Sequence, residues 1–376
     1  MSSSPHDLPP HGGQHRDIVA RYGISMSGLI DFSANINPAG PPKSAIAAIR
    51  LALEEPSTLG TYPDLELVEL KEAIAKRMDL QPNNVAVANG LVPLLEAALR
   101  SLTIKCCLLP VPSFGEYRHT LENAGVAVAP YRLSQEKGFA YEIDAILAAL
   151  LDHSSDAILL ANPQNPSGAL CNTAKMRSLM KAAAQHDITV LLDEAFIDYC
   201  PSDSLTRLAM DQANVIVFRS VTKFFGIPGL RVAYAIGESS IIHSLNRFIA
   251  PWPITNLSGN AVCAALQDLT YAEQSLIVND QQRLWLEQEL ERLKIATYPS
   301  RANFLLLRFP KEIDTNLLWE RMIVEEQLVL RSCANFEGLA EGHLRVAVRS
   351  APENQRLVRG LERILPGLAG GGIHNL

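Results

Sequence analysis

The 376-residue sequence has few aromatic residues, few cysteines and no excess of basic residues. Its six cysteines lie mostly in apolar runs and form no C-x-x-C pair, so we expect reduced thiols, a cytoplasmic protein and no metal site. The 33 basic residues are outnumbered by 40 acidic ones, which gives a formal net charge of -7. Because such a chain has no general attraction for phosphate backbones, we expect no nucleic-acid partner.

Long apolar runs are missing as well. The longest stretches, such as 145–151, are far shorter than the roughly 20 residues of a membrane-spanning helix, so we expect no membrane partner. Residues 1–13 contain neither the basic nor the apolar segment of a secretion signal. The chain does have 48% hydrophobic residues, enough for a large core and too many for a disordered protein. Its length predicts more than one domain, since a single core seldom exceeds roughly 250–300 residues.

Changes in residue pattern divide the chain into three parts. Residues 1–40 are rich in Pro, Gly and Asn, and we expect an irregular arm that packs with a small carboxyl-terminal domain. In residues 41–246, short apolar runs alternate with helical stretches, which predicts a mostly parallel sheet with helices on both faces. Residues 247–376 show longer helices and fewer strands, as in a smaller α+β domain, with a frayed tail at 367–376.

Apolar runs and helical periodicity predict the individual elements. In the large domain the predicted strands are 84–88, 106–109, 126–129, 157–161, 189–192, 215–218 and 232–236. The helices predicted between them lie near 93–102, 116–124, 143–151 and 174–186. The second domain is predicted to contain helices at 271–293, 316–326 and 353–364 and strands at 304–309 and 344–348.

A lysine motif follows the strand at 215–218. Lys223 is preceded by two hydroxyl residues, Ser220 and Thr222, and is followed by two aromatics, a Gly-x-Pro-Gly turn and Arg231. The hydroxyls and the arginine could anchor the phosphate of a cofactor beside the Lys223 amine. Desolvation and nearby positive charge would then lower the pKa of this amine, as imine chemistry requires. A surface lysine beside a turn is the alternative.

Four other polar positions also follow predicted strands. Asp193 ends an apolar strand, where a protonated pyridine nitrogen would stabilise its carboxylate; a helix N-cap is the alternative. Asn165 could donate to a phenolate oxygen, or belong to a turn. Phe114 could lie on a flat ring, or be a core aromatic. Gly90 could form a phosphate nest at a helix N-terminus, or an ordinary turn between strand and helix.

Together these positions resemble the fold-type I pyridoxal-phosphate enzymes, in the branch of histidinol-phosphate aminotransferases and threonine-phosphate decarboxylases. The resemblance extends from about His11 to Leu357 and is most specific in the stretch S-x-T-K-F-x-x-I-P-G-L-R. It implies that pyridoxal 5'-phosphate binds covalently to Lys223, which later moves protons. It further implies that Asp193 holds the pyridinium, Asn165 contacts the ring hydroxyl, Phe114 stacks on the ring, and the phosphate is bound by Gly90, Leu91, Ser220, Thr222 and Arg231.

The same resemblance suggests further residues for the substrate and for the partner subunit. Tyr62 matches a tyrosine that reaches the cofactor phosphate in the neighbouring subunit, which implies a homodimer. Arg345 matches the arginine that binds the substrate carboxylate, and Arg331 matches another arginine of the substrate site. For Arg349 a substrate role and an ion pair are equally open. His11 and Asn35 complete the expected substrate-binding set.

The amino-terminal motifs separate the two branches. His11-Gly12-Gly13, the stretch 31–38 and Phe196 in place of a tyrosine resemble the threonine-phosphate decarboxylases of cobalamin synthesis. The resemblance implies decarboxylation of L-threonine O-3-phosphate; an aminotransferase acting on histidinol phosphate or a related amino acid is the alternative, and a non-catalytic pyridoxal-phosphate sensor is a third. One departure is Pro93, which lacks an N–H and removes a potential phosphate donor near Gly90.

Overall fold

The computed structural model describes residue 9 and residues 11–369. In chain order the helices are α1 (His15–Tyr22), α2 (Lys43–Glu54), α3 (Ser57–Gly60), α4 (Val68–Met78), α5 (Leu91–Ser101), α6 (Gly115–Asn123), α7 (Ile143–Asp152), α8 (Thr173–Gln185), α9 (Thr206–Met210), α10 (Val221–Phe224), α11 (Ser239–Asn246), α12 (Asn256–Gln267), α13 (Leu269–Arg292), α14 (Thr315–Glu326) and α15 (Ala351–Ala369). The strands are β1 (Ile30–Asp31), β2 (Val85–Ala88), β3 (Cys106–Val111), β4 (Ala127–Arg132), β5 (Ala157–Ala161), β6 (Thr189–Asp193), β7 (Val215–Ser220), β8 (Ala233–Ile236), β9 (Ala296–Thr297), β10 (Phe304–Arg308), β11 (Leu328–Val329), β12 (Arg331–Ser332) and β13 (His343–Ala347).

A seven-stranded sheet forms the centre of the large domain, in the order β2-β8-β7-β6-β5-β3-β4. The pairs β3–β4, β3–β5, β5–β6 and β6–β7 are parallel, whereas β8 runs antiparallel to both of its neighbours. Successive residues of β5 alternate between two hydrophobic cores: Ile158 and Leu160 pack in one, and Leu159 and Ala161 in the other. Helices therefore cover both faces, which confirms the predicted α/β class with a mostly parallel sheet.

A second sheet belongs to the carboxyl-terminal part of the chain. Strands β12, β13, β10 and β9 form it in that order, with antiparallel pairing throughout. The amino-terminal arm joins this part, because Ile30 of β1 pairs in parallel with Leu328 of β11. The carbonyl of Phe32 also accepts a hydrogen bond from the Ala347 N–H at 2.8 Å. These contacts accord with an arm that packs on the small domain, while the division at residues 40 and 246 stays a prediction.

Side-chain caps begin several of the helices. Asp268 accepts a hydrogen bond from the Tyr271 N–H at the start of α13, and Asp314 accepts from Asn316 and Leu317 at the start of α14. Such caps satisfy backbone donors that the first helical turn leaves without partners. They explain why α13 begins at residue 269 and not at the predicted residue 271.

Two expectations about the chain ends were wrong, and one helix was not predicted. The predicted irregular arm contains helix α1, which forms because Ile18 is buried in the small-domain core. Helix α12 was not predicted, and it packs against α2 and α4 of the large domain. Helix α15 continues through residue 369, so 367–369 are helical and not a frayed tail; residues 370–376 lie outside the described part of the chain. Among the described residues, no helix combines the length and apolar character needed to cross a membrane.

A buried charged cluster joins the ends of β6 and β7. Arg219, in β7, donates to the carboxylates of Asp198 at 2.6 Å and Glu194 at 3.4 Å, and all three side chains are less than a tenth exposed. Glu194 also accepts a hydrogen bond from the Leu205 N–H at 2.6 Å. Asp193 precedes Glu194 and Ser220 follows Arg219, so this cluster holds the ends of the two strands.

Replacing Arg219 with leucine is expected to lower the free energy of unfolding by about 3 kcal/mol or more, because two buried carboxylates lose their cation. Chemical denaturation measures this loss. The matched control is Arg207→Leu, which breaks the exposed ion pair with Asp79 and is expected to cost less than about 1 kcal/mol. Equal costs for the two variants would contradict the role assigned to the buried cluster.

Candidate active site

The sequence-predicted polar residues converge where the parallel strands end. Asp193 is the last residue of β6, Ser220 is the last of β7, and Lys223 lies in α10 just after it. Asn165 lies in the loop after β5, and parallel strands present their carboxyl ends at one sheet edge. These polar side chains line a cavity of about 580 Å³. Thirteen of the predicted site residues contribute to its wall: His11, Asn35, Gly90, Leu91, Phe114, Asn165, Asp193, Ser220, Thr222, Lys223, Arg231, Arg331 and Arg345.

The Lys223 amine faces a desolvating and electropositive environment. Burial, together with the charges of Arg345 and Arg231, lowers the pKa of Lys223 to about 8, against an opposing effect of Asp193. An ordinary lysine has a pKa of about 10.4. Lys223 therefore loses its proton much more readily near neutral pH than an ordinary lysine, so it can act both as a nucleophile and as a group that moves protons.

Asp193 is a buried carboxylate held by two hydrogen bonds. Its Oδ2 accepts from the Tyr117 hydroxyl at 2.5 Å, and its Oδ1 accepts from the Ala195 N–H at 2.8 Å. Burial raises the pKa of Asp193, whereas the hydrogen bonds and the Lys223 charge lower it. A cation placed against this carboxylate from the cavity would stabilise its charged form.

Groups that could bind an anion cluster at the amino end of α5. Gly90 has φ +93°, and a Cβ built on it would lie 3.0 Å from a terminal nitrogen of Arg231, so the guanidinium lies close to the backbone there. The hydroxyls of Ser220 and Thr222 lie 2.8 Å apart and also face the cavity. A helix N-terminus with a nearby guanidinium and hydroxyl donors suits a phosphate group, even though Pro93 offers no N–H.

Arg345, in β13 of the second sheet, and Asn165, in the loop after β5, hold one another in place. The Arg345 Nη1 donates to the Asn165 side-chain oxygen at 2.6 Å, and its Nη2 donates to the Ser33 carbonyl at 3.2 Å. Burial lowers the pKa of Arg345 to about 10. Because the Asn165 oxygen accepts from Arg345, its amide N–H groups remain available to donate towards a ligand, as the sequence analysis expects.

Arg331 provides a second guanidinium at the same end of the cavity. It donates to the Ser332 carbonyl at 2.7 Å and to the Asn335 side-chain oxygen at 2.8 Å, and it lies 5.2 Å from the centre of the Phe336 ring. It also donates to the Pro9 carbonyl of the amino-terminal arm at 3.1 Å. These contacts hold the guanidinium plane against the cavity wall.

The amino-terminal arm closes one side of the cavity. The His11 Nε2 lies 3.1 Å from the Glu116 carboxylate, and Gly13 donates to the Ser33 hydroxyl at 3.0 Å. Between them, Gly12 passes so close to Ser33 that a Cβ would lie 2.3 Å from its carbonyl oxygen. Asn35 is buried in the same wall, and its side-chain oxygen has no hydrogen-bond partner among the described residues.

Two predicted site residues lie outside the cavity wall. Tyr62 is 78% exposed and packs its ring against Trp252, with the ring centres 4.7 Å apart. Arg349 donates to Glu353 at 2.7 Å and to the Asp31 carbonyl at 2.9 Å. The structure thus shows the ion-pair alternative for Arg349, since Glu353 lies four residues away on the first turn of α15. Its substrate role and the partner-site role of Tyr62 stay predictions.

Glu116 and Tyr117 contact site residues, although no sequence motif predicted a role for either of them. Both follow Phe114 in the first turn of α6, where Glu116 contacts His11 and Tyr117 contacts Asp193. A usable signal was present, because residues three apart on a helix share a face, and Tyr117 is three residues beyond Phe114. The partner of its hydroxyl, 76 residues away, could not be read from spacing.

Comparison with known proteins identifies the family. The model of the family "Aminotransferase class I and II" matches residues 27–364. A threonine-phosphate decarboxylase from Salmonella typhimurium is 33% identical, with 96% of this chain and 97% of the relative covered. A histidinol-phosphate aminotransferase from Methanocella arvoryzae is 28% identical, with 94% of each covered.

A solved structure supports the same assignment. The crystal structure of the histidinol-phosphate aminotransferase from Clostridium acetobutylicum is 29% identical and superposes with a TM-score of 0.83, covering 89% of this chain and 99% of that one. The chain therefore belongs to the aminotransferase class I and II family of pyridoxal 5'-phosphate-dependent enzymes.

Proposed function

We propose that this chain decarboxylates L-threonine O-3-phosphate to (R)-1-amino-2-propanol O-2-phosphate, which supplies the aminopropanol linker of the cobalamin nucleotide loop. The observation that carries the proposal is the excess of positive charge in the cavity. Lys223, Arg231, Arg331 and Arg345 line it, against the carboxylates of Asp193 and Glu116. A cofactor phosphate, a substrate phosphate and a substrate carboxylate together provide the anions that such a site needs.

The residues of the cavity fit pyridoxal 5'-phosphate. The Ser220, Thr222 and Arg231 side chains, with the backbone of Gly90 and Leu91, would hold its phosphate beside the Lys223 amine. Asp193 would pair with its ring nitrogen, Asn165 would donate to its ring oxygen, and Phe114 would lie on the ring face. When bound, this cofactor supplies an electron-withdrawing ring that accepts the electron pair released at the substrate Cα.

The two arginines from the second domain would bind the substrate. Arg345 would bind the α-carboxylate of the substrate. Its guanidinium is held in place by Asn165 and Ser33, and its Nε has no hydrogen-bond partner among the described residues. Arg331 and His11 would bind the substrate phosphate from the side where the arm closes the cavity. Binding both ends of a small substrate fixes which bond at Cα is broken.

Lys223 would complete the reaction by moving a proton. When the carboxylate leaves as CO2, the Lys223 Nζ donates a proton to Cα, so that a C–H bond replaces the broken C–C bond. A pKa of about 8 suits this task, because the amine can hold a proton and release it near neutral pH. The arm, held by the hydrogen bond from Gly13 to Ser33, would limit the access of water on the same side of the cavity.

Incubation with threonine phosphate, without any keto acid, tests the proposed reaction. We expect release of CO2 and an amine of the mass of aminopropanol phosphate, and a loss of roughly 10³-fold or more for Lys223→Ala, which removes the proton donor. Mass spectrometry identifies the product. Turnover that requires 2-oxoglutarate and yields glutamate, with histidinol phosphate as the amino donor, would instead establish the aminotransferase alternative suggested by the relatives at 28% and 29% identity.

We also propose that the enzyme is a cytoplasmic homodimer in which Tyr62 reaches the partner subunit's cofactor phosphate. Exposed hydrophobic side chains support this arrangement: Trp252 packs against Tyr62, and five others lie within about a dozen residues of Tyr62 in the sequence, namely Leu51, Leu53, Leu59, Leu65 and Val68. Exposed apolar patches of this kind mark protein interfaces. Tyr62 itself does not line the cavity of its own subunit.

Mixing two inactive variants tests the shared site. We expect sedimentation to show a dimer, and we expect Lys223→Ala and Tyr62→Ala each to be impaired alone. In a mixed dimer, one site combines the intact Lys223 of one subunit with the intact Tyr62 of the other. Equal mixing with subunit exchange should therefore restore about a quarter of the wild-type rate. A mixed sample no more active than the average of its parents would contradict a shared site.

A further inference from the structure

The hydrogen-bonding pattern of Asp193 depends on one tyrosine outside the cavity wall. The Asp193 Oδ1 accepts from a backbone N–H two residues along the chain, which belongs to the turn after β6. Its Oδ2 accepts from the hydroxyl of Tyr117, on α6. The charged or titratable side chains that act on Asp193 are Tyr117, Tyr141 and Lys223. Among these, only Tyr117 donates a hydrogen bond to the carboxylate.

Tyr117 also contacts the aromatic side chain that faces the cavity. It is 2% exposed, and its ring meets that of Phe114 edge to face, with the centres 5.5 Å apart and the planes at 89°. Its backbone N–H donates to the Phe114 carbonyl at 3.0 Å, so the two residues form the first turn of α6 as a unit. The Tyr117 side chain therefore contacts both Asp193, which would hold the edge of the cofactor ring, and Phe114, which would lie on the face of that ring.

We propose that Tyr117 is a positioning residue that keeps the proton shared by Asp193 and the cofactor on the ring nitrogen. The inference rests on the cofactor of the family and not on the choice between decarboxylation and amino transfer. The hydroxyl fixes the plane of the carboxylate and stabilises its negative charge. Tyr117 does not touch the substrate, and it acts through Asp193 and Phe114.

The direction of the effect follows from the burial of Asp193. Burial raises the pKa of this carboxyl, and the Tyr117 hydrogen bond is the strongest influence that lowers it. Removing the hydroxyl leaves a buried carboxylate oxygen without this donor, so the charged form becomes less stable and the pKa of Asp193 rises. A less acidic Asp193 would take the shared proton from the ring nitrogen of the bound cofactor, and the ring would then withdraw electrons less strongly.

The test is nitrogen-15 NMR of the enzyme without substrate, reconstituted with pyridoxal phosphate labelled at the ring nitrogen. In the wild type we expect a resonance between the neutral and protonated limits and closer to the protonated one. In Tyr117→Phe we expect the proton equilibrium to move towards Asp193 by roughly tenfold or more, with the resonance shifted towards that of a neutral nitrogen. This measurement does not depend on turnover, so its failure is distinguishable from failure of the proposed reaction.

Tyr141→Phe is the matched control. Tyr141 is another buried tyrosine near Asp193, but its hydroxyl donates to the Ala161 carbonyl at 2.8 Å. Loss of this hydroxyl should leave the ring-nitrogen resonance unchanged. An unchanged resonance in Tyr117→Phe, or equal shifts in the two variants, would overturn the proposal.

A second measurement avoids the risk that Tyr117→Phe fails to fold. Growth on 3-fluorotyrosine replaces every tyrosine by a more acidic phenol, which is a stronger hydrogen-bond donor of nearly the same shape. The ring-nitrogen resonance should then move further towards the protonated value, opposite to the shift in Tyr117→Phe, and the same shift should occur in fluorinated Tyr141→Phe. No shift, or a shift towards the neutral value, would contradict the assigned role.

Discussion

The crowding of positive charge around the Lys223 amine is the constraint on which the site depends. Burial and the neighbouring Arg345 and Arg231 lower the pKa of Lys223 to about 8. The guanidiniums of Arg345 and Arg331 are held by fixed acceptors, which are backbone carbonyls and amide oxygens from the arm, from the loop after β5 and from β12 and the turn after it. A cavity built this way favours anionic ligands, and it keeps one amine reactive at neutral pH.

Much of the fold and of the site could be predicted from the sequence. The strand at Ala157–Ala161 was predicted to the residue, because a strand buried on both faces is a continuous apolar run bounded by polar residues. Polar residues directly after such runs must lie at one edge of a parallel sheet. This reasoning placed Asp193, Asn165 and Lys223 around one cavity before any distance was known. The family resemblance added their expected roles and the two arginines Arg331 and Arg345.

The remaining features depend on contacts between distant parts of the chain. Strands β1, β9, β11 and β12 have two residues each, too few for a visible period, and exist only because a neighbouring strand pairs with them. Helix α1 forms because Ile18 is buried in the same hydrophobic cluster as Trp319, which lies about 300 residues further along the chain. The same holds for the ion pair of Arg349 with Glu353 and for the hydrogen bond from Tyr117 to Asp193. Each of these side chains has several possible partners in the sequence, and the partner is known only from the folded structure.

The central claim is that Lys223 is the residue to which the cofactor is bound. Borohydride reduction of the purified enzyme, followed by proteolysis and mass spectrometry, tests it most directly, because reduction makes the bond between cofactor and amine permanent. The account predicts loss of the yellow absorbance band and a single pyridoxyl-modified peptide that contains Lys223. A label on a different lysine, or no label on an enzyme that retains its activity, would contradict it.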